Sequence, residues 1–418
     1  MRTGLAVLAV ATALRLVLAA RLGLAADEAY YWTWSEDLAL AYYDHPAGVA
    51  GLIRAGTTVL GDTELGVRAG GLILQAVALG VLLWHHDWSR GLLLLFAVPA
   101  VVIPAVLATP DVGLLSFWIL AIVAAERERW LLAGVLAAAA LWFKLPALIL
   151  IGVLAMRSWR TGLLALALGA PSLAGHALFQ LDHGLGRGNG GLGPMAEFIG
   201  AQAGFLGPLL FIASAAWLVK GPRDRWWWSG VATLVAFGGA ALFSRGEGNW
   251  GLPFCLAAVV GCSRLQGRWA RVAEWGGWTG GLLSVGALVH AVSPWLPLER
   301  DPLDQLHQGR VIGEAVGAWG VEPVLAERYQ EASWVRFYGE VDATTVPGAG
   351  RASQFDLDRD ALPEATVVVR PRRSGDAWPT DGLYTERSGA HEVHARRGDR
   401  VTASWQVAEV EGYDPRPR

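Results

Sequence analysis

Residues 5–22, LAVLAVATALRLVLAARL, run almost directly into DEAYYWTW at 27–34, and the reading of that junction decides the fold. The first part supplies nearly the 20 or so apolar residues that one bilayer crossing needs. It reads as a membrane span rather than a cleaved secretory signal. Arg15 interrupts its core, Ala25-Ala26-Asp27 is a weak cleavage site, and further apolar runs follow. The second part places two adjacent carboxylates and a set of aromatic rings where the span ends.

Composition agrees with a chain dominated by membrane segments. Of 418 residues, 53% are hydrophobic and only 17% charged, against roughly 25% charged in soluble domains. A net charge of −3 gives no basic footprint for nucleic acid. Cys255 and Cys262 fall in one apolar run. In a helix their spacing is about 10 Å of rise, too far for a disulfide.

About eleven apolar runs qualify as spans on length. They cover roughly 4–22, 66–84, 91–107, 112–125, 130–143, 145–156, 161–179, 203–219, 227–243, 250–263 and 277–296. The pair flanking Lys144 is short and reads as broken or re-entrant. Alternate connections collect the basic residues: Arg90; Arg127 and Arg129; Arg157 and Arg160; Lys220, Arg223 and Arg225; Arg264, Arg268 and Arg271. Lys and Arg mark cytoplasmic loops, so the N-terminus is expected inside, with the remaining loops and the tail outside. Trp226-Trp227-Trp228 beside basic residues fits an interfacial aromatic belt.

After Pro297 the chain turns polar. Ile312, Ala315, Val316 and Trp319 share a helix face. Segments 321–326, 365–370 and 401–410 read as strands, and Gly398-Asp399 as a hairpin turn. That turn also accounts for the Arg397-Gly398-Asp399 triplet, which resembles an adhesion tripeptide. The expected fold is an α-helical polytopic membrane protein with a small C-terminal α/β domain outside the cytoplasm. Residues 1–298 form the membrane domain and 299–418 the soluble one.

Chemistry collects on the loops assigned to the outside. Ionisable residues near the hydrocarbon boundary are costly and functional by default. Asp27 and Glu28 read either as an acid/base pair or as a helix N-cap with its dipole partner. Lys144, between two apolar runs, either binds an anion or snorkels to the interface. Asp111 follows Pro110 at a helix start, so capping competes with catalysis. Asp44 and His45 read as hydrogen-bonding residues or as two possible metal ligands, too few to define a site. The glycine-rich stretch 184–191 lacks the preceding strand and following Lys-Ser/Thr of a phosphate loop.

The segments Asp27–Trp34, Tyr42–Pro46 and Gly61–Arg68 together resemble the first periplasmic loop of the bacterial 4-amino-4-deoxy-L-arabinose transferases and protein mannosyltransferases. Thr109-Pro110-Asp111, Lys144-Leu145-Pro146, Arg245 with Asn249-Trp250, and Glu327–Ala332 through Phe337-Tyr338 extend the likeness to about residue 340. The sequence departs at His45, where the aminoarabinose transferases tend to carry lysine.

The resemblance implies a GT-C-like fold and an inverting glycosyltransferase of the inner membrane. Such an enzyme moves a sugar from a polyprenyl-phosphate donor to a glycolipid, glycan or protein acceptor on the periplasmic face. It implies Asp27 as the acidic residue that activates or orients the acceptor, with Glu28 beside it. Tyr30, Asp44, His45, Asp111, Lys144, Arg245, Glu247 and Asn249 become substrate contacts, with Arg245, Lys144 and His45 clamping phosphate. A divalent cation at Asp44 and His45 is the one cofactor considered. The competing reading is a transporter or flippase of lipid-linked sugars, which would place polar residues at the bilayer midplane in paired repeats.

Overall fold

A computed structural model describes residues 2–86, 97–183, 190–296, 298, 301–358, 361–372 and 377–414. Arg90, residues 91–96 of the third apolar run, Gly184–Asn189 and Pro297 lie outside the described residues. The chain is mainly helical with one small C-terminal sheet, and it divides into two compact units. One contains residues 1–19, 39–52 and 68–288; the other contains 20–38, 53–67 and 289–418.

The first unit is a helix bundle with an extended apolar core that includes Leu79, Leu82, Trp118, Leu141, Trp217 and Phe254. Among the described residues, three helices are long and apolar enough to cross a bilayer: Gly4–Arg21, Glu64–His86 and Trp159–Leu178. A fourth span results if Leu192–Leu206 and Pro208–Lys220, bent by 107°, count together. Of the roughly eleven spans expected, three or four are identified among the described residues.

Most of the other apolar runs form shorter helices, such as Pro99–Val106 (8 residues), Trp130–Leu141 (12) and Ala147–Ala155 (9). Twelve helical residues rise only about 18 Å, against a hydrocarbon core of about 30 Å. Local breaks cause the shortfall. Lys144-Leu145-Pro146 separates two of these helices, and Gly207 at φ +78° followed by Pro208 turns the bent pair. Hydropathy sums composition along the chain and does not register such breaks.

The bundle has two chemically distinct ends. At one, Glu126 closes the Pro110–Glu126 helix and accepts from Trp226 Nε1 at 3.1 Å. Around it Arg127 lies over Trp84 at 3.9 Å, Arg225 over Trp130 at 5.0 Å and Arg223 over Trp227 at 4.1 Å. These cation–π pairs join the basic loops to their tryptophans. At the other end, about 22 Å along the same helix, Asp111 meets Lys144 and Asn249. Cys255 and Cys262 are buried and free, as their spacing requires.

The second unit holds a five-stranded sheet in the order β2-β1-β3-β5-β4. The strands are β1 (Val324–Ala326), β2 (Ala343–Thr345), β3 (Ala365–Pro371), β4 (Tyr384–Arg397) and β5 (Arg400–Tyr413). β1 pairs in parallel with β2 and β3, and β5 runs antiparallel to β3 and β4. Ile312 and Val316 bury the inner face of the Gln305–Gly317 helix. Gly398, at φ +62°, and Asp399 join β4 to β5, as expected. Arg397 is buried among Asp301, Asp304 and the carbonyls of His290 and Ala291, so the Arg-Gly-Asp triplet is structural.

Candidate functional site

In the first unit, the break between Trp130–Leu141 and Ala147–Ala155 delivers Lys144 to the interior. Its Nζ donates to both oxygens of Asp111, at 2.9 and 3.1 Å, with the two side chains only 6% and 7% exposed. Lys144 is thus neither snorkelling nor solvated. Asn249 Nδ2 donates to the same carboxylate at 3.2 Å. Asp111 sits in the first turn of its helix, whose N-cap position is Thr109. The ring of Phe143 lies where a Cβ on Gly113 would be, 2.1 Å away, so the glycine permits this close approach.

Asp44 and His45 stand on a tight turn closed by the Ala41–Pro46 bridge and by Tyr42 N–H donating to His45 O at 3.0 Å. They line a cavity of about 550 Å³ together with Lys144, Pro146, His176, Phe237 and Trp250. The walls are mostly apolar, with a cation, an acid and imidazoles placed on them, the character of a site for an apolar ligand with a polar head. His176, Phe237 and Trp250 were not singled out from sequence as site residues. A histidine within an apolar 25-residue helix was the available signal for His176. Arg245 is 69% exposed and faces Glu197 at 3.6 Å, and Glu247 is also exposed. The structure brings Asp111, Lys144 and Asn249 into one bonded group, and Asp44, His45 and Lys144 to one cavity.

In the second unit, Ala26–Glu36 forms the helix that carries the Asp-Glu pair. Asp27 is exposed, whereas Glu28 is fully buried. Glu28 Oε2 accepts from Ala25 N–H at 3.0 Å, so the capping role falls to Glu28 and leaves Asp27 facing outward. Tyr329 O–H donates to Asp27 Oδ1 at 2.9 Å. Tyr30 is buried; its ring lies 4.7 Å from that of Tyr329, and its hydroxyl accepts from Gln354 N–H.

The Tyr329–Gly339 helix packs on this segment. Trp334 Nε1 donates to Leu24 O at 3.1 Å, Leu24 N–H donates to Tyr338, and Phe337 meets Trp32 edge-on at 4.9 Å. These contacts explain why the Asp27–Trp34 and Glu327–Tyr338 motifs occur in one sequence. Arg328 is held by the buried Glu331 carboxylate. Burial pushes the Arg328 guanidinium down, but Glu331 outweighs it and holds the pKa above the ordinary value. Asp27, Gln305, Gln308, Arg328, Tyr329 and Ser404 line a polar pocket of about 390 Å³.

No protein-family model matches the sequence, and no curated protein sequence matches it. The fold, however, matches that of a protein whose structure is already solved. ArnT from Cupriavidus metallidurans in the apo state superposes with a TM-score of 0.62 over 97% of this chain and 98% of that one, at 16% identity. The same protein bound to undecaprenyl phosphate gives a TM-score of 0.60 over 96% of each chain, again at 16% identity.

Proposed function

We propose that this protein is an integral-membrane glycosyltransferase that takes its sugar from a polyprenyl-phosphate donor and inverts the anomeric carbon on transfer. The observation that carries the reading is the apolar-walled cavity bearing Lys144, His45 and Asp44, in a chain sharing its fold with ArnT bound to undecaprenyl phosphate. The donor is an apolar chain ending in a phosphate. Apolar walls suit the chain and an ammonium suits the phosphate. In this account Lys144 exchanges part of its contact with Asp111 for a phosphate oxygen, and Asn249 keeps the carboxylate partnered.

Inverting transfer also needs a base for the acceptor. Asp27 has that role here: it is exposed, lines a polar pocket, and is oriented by the Tyr329 hydroxyl. Glu28 positions it by fixing the helix start. Arg245 and Glu247, both exposed, contact the donor headgroup in this reading, and Tyr30 supports Tyr329. The acceptor is a glycolipid, glycan or protein at the periplasmic face of a bacterial inner membrane, with residues 1–298 as the membrane domain and 299–418 periplasmic.

The transporter reading draws on the broken helices at Lys144 and Gly207. It is disfavoured because Asp111, Lys144 and Asn249 gather at one end of the bundle rather than midway along it. A binding titration of purified protein with undecaprenyl phosphate tests the donor assignment. Saturable binding, weakened at least tenfold by Lys144→Ala, is expected; equal binding by both proteins would remove Lys144 from the donor site.

A further inference from the structure

At the end of the bundle remote from Lys144, three ligand-type side chains converge. His85 and His86 close the Glu64–His86 helix, and Glu126 closes Pro110–Glu126. His85 Nε2 lies 3.0 Å and His86 Nε2 3.1 Å from the same oxygen, Glu126 Oε2. One donor atom from each residue lies within 4.8 Å of the others. Among the described residues this is the one group of three or more such side chains that converges so closely. Asp44 and His45, the pair considered for a metal from sequence, are not part of it.

We propose that His85, His86 and Glu126 form a divalent-cation site suited to zinc. Ligands about 2.0–2.1 Å from a tetrahedral zinc are separated by about 3.3 Å along each edge. The two nitrogen–oxygen distances are already close to that edge, so a small outward movement of Glu126 admits the ion. Two imidazoles and one carboxylate match the preference of zinc for nitrogen and oxygen donors, and a water completes four ligands. The carboxylate has a supporting partner: Trp226 Nε1 donates to its other oxygen at 3.1 Å, fixing which oxygen faces the histidines. The three side chains are 15–17% exposed, which leaves a path for the ion.

Neighbouring charge sets the sign of a control. Arg127 Nε donates to His85 Nδ1 at 3.0 Å, which places the His85 ring proton on Nε2. Zinc at Nε2 moves that proton to Nδ1, so Arg127 must withdraw. Its guanidinium already lies 3.9 Å from the Trp84 ring centroid, a ready alternative partner. Arg264, the other nearby cation, is paired with Asp224 at 2.5 Å. Arg127 thus competes with the metal both as a donor and as a positive charge. The bound ion would join the ends of two helices and, through Trp226, a third, without touching the groups around Lys144.

The test uses full-length protein in detergent, with any polyhistidine tag removed, stripped with chelator and titrated with Co²⁺ as a spectroscopic stand-in for zinc. One equivalent of tetrahedral Co²⁺ absorption, displaced by Zn²⁺, is expected. Glu126→Gln, which can still accept from Trp226, should weaken binding about 100-fold, and Arg127→Gln should tighten it about tenfold. Circular dichroism and gel filtration confirm that the variants are folded. Absence of stoichiometric Co²⁺ absorption in the folded wild-type protein would overturn the proposal, as would unchanged affinity in folded Glu126→Gln.

Discussion

Lys144 Nζ lies 2.9 Å from one oxygen of Asp111 and 3.1 Å from the other, and Asn249 donates to the second at 3.2 Å. A buried pair of this kind contributes little net stability while intact, but removing one partner strands the other charge. Asp111→Asn should therefore destabilise the protein by about 3–5 kcal/mol. Asp111→Asn with Lys144→Met should recover most of that loss while weakening donor binding. Thermal unfolding in detergent, run beside a donor-binding titration, separates the two effects.

The same group depends on Gly113. A methyl there would stand 2.1 Å from the Phe143 ring, next in sequence to Lys144. Overpacking of this type costs about 1–3 kcal/mol. Gly113→Ala should lower the unfolding midpoint and shift Lys144, and Gly113→Ala with Phe143→Leu should restore part of the stability.

Asp27 and Glu28 are adjacent in sequence but should lose different amounts of stability on substitution. Glu28→Ala removes the acceptor for Ala25 N–H inside the fold and should cost about 1–2 kcal/mol. Asp27→Asn changes an exposed residue with a hydroxyl partner and should cost under about 1 kcal/mol. Denaturation curves for the two variants check the contrast; equal losses would contradict it.

Acid should loosen the network at the start of the C-terminal region. Burial pushes the Asp301 carboxyl up, but the Leu303 amide, His290 and Arg397 outweigh it and hold its pKa below 3.8. A depressed carboxyl contributes stability that is present above its unfolded pKa and is lost as pH falls through the folded one. Thermal midpoints should therefore drop more steeply below about pH 4 in wild type than in Asp301→Asn. Parallel curves would remove Asp301 from this role.

Legibility from sequence followed the range of the interactions. The β4–β5 turn was readable because Gly398-Asp399 is a local signal, and β3 and β5 because apolar residues mark them. β4 was not, because it is an edge strand whose residues from Thr385 to Glu392 are all exposed, so it carries no apolar alternation. The number of spans is not fixed by hydropathy alone, because short helices separated by Pro and Gly breaks have the same composition as crossings. Asp27, Lys144 and Asp111 were all recognisable as costly polar residues. Which would pair was not readable, since a sequence separation of 33 between Asp111 and Lys144 carries no register. His176, and the convergence of His85, His86 and Glu126, needed the tertiary fold for the same reason.

The most direct test of the central claim is sugar transfer from a panel of radiolabelled polyprenyl-phosphate sugars by purified wild-type protein and by Asp27→Asn. The account predicts label leaving one donor with wild type, and a rate at least about 100-fold lower in a variant that remains folded. Transfer by Asp27→Asn at the wild-type rate would contradict the assignment of the base, and no turnover or binding with any donor would contradict the enzyme.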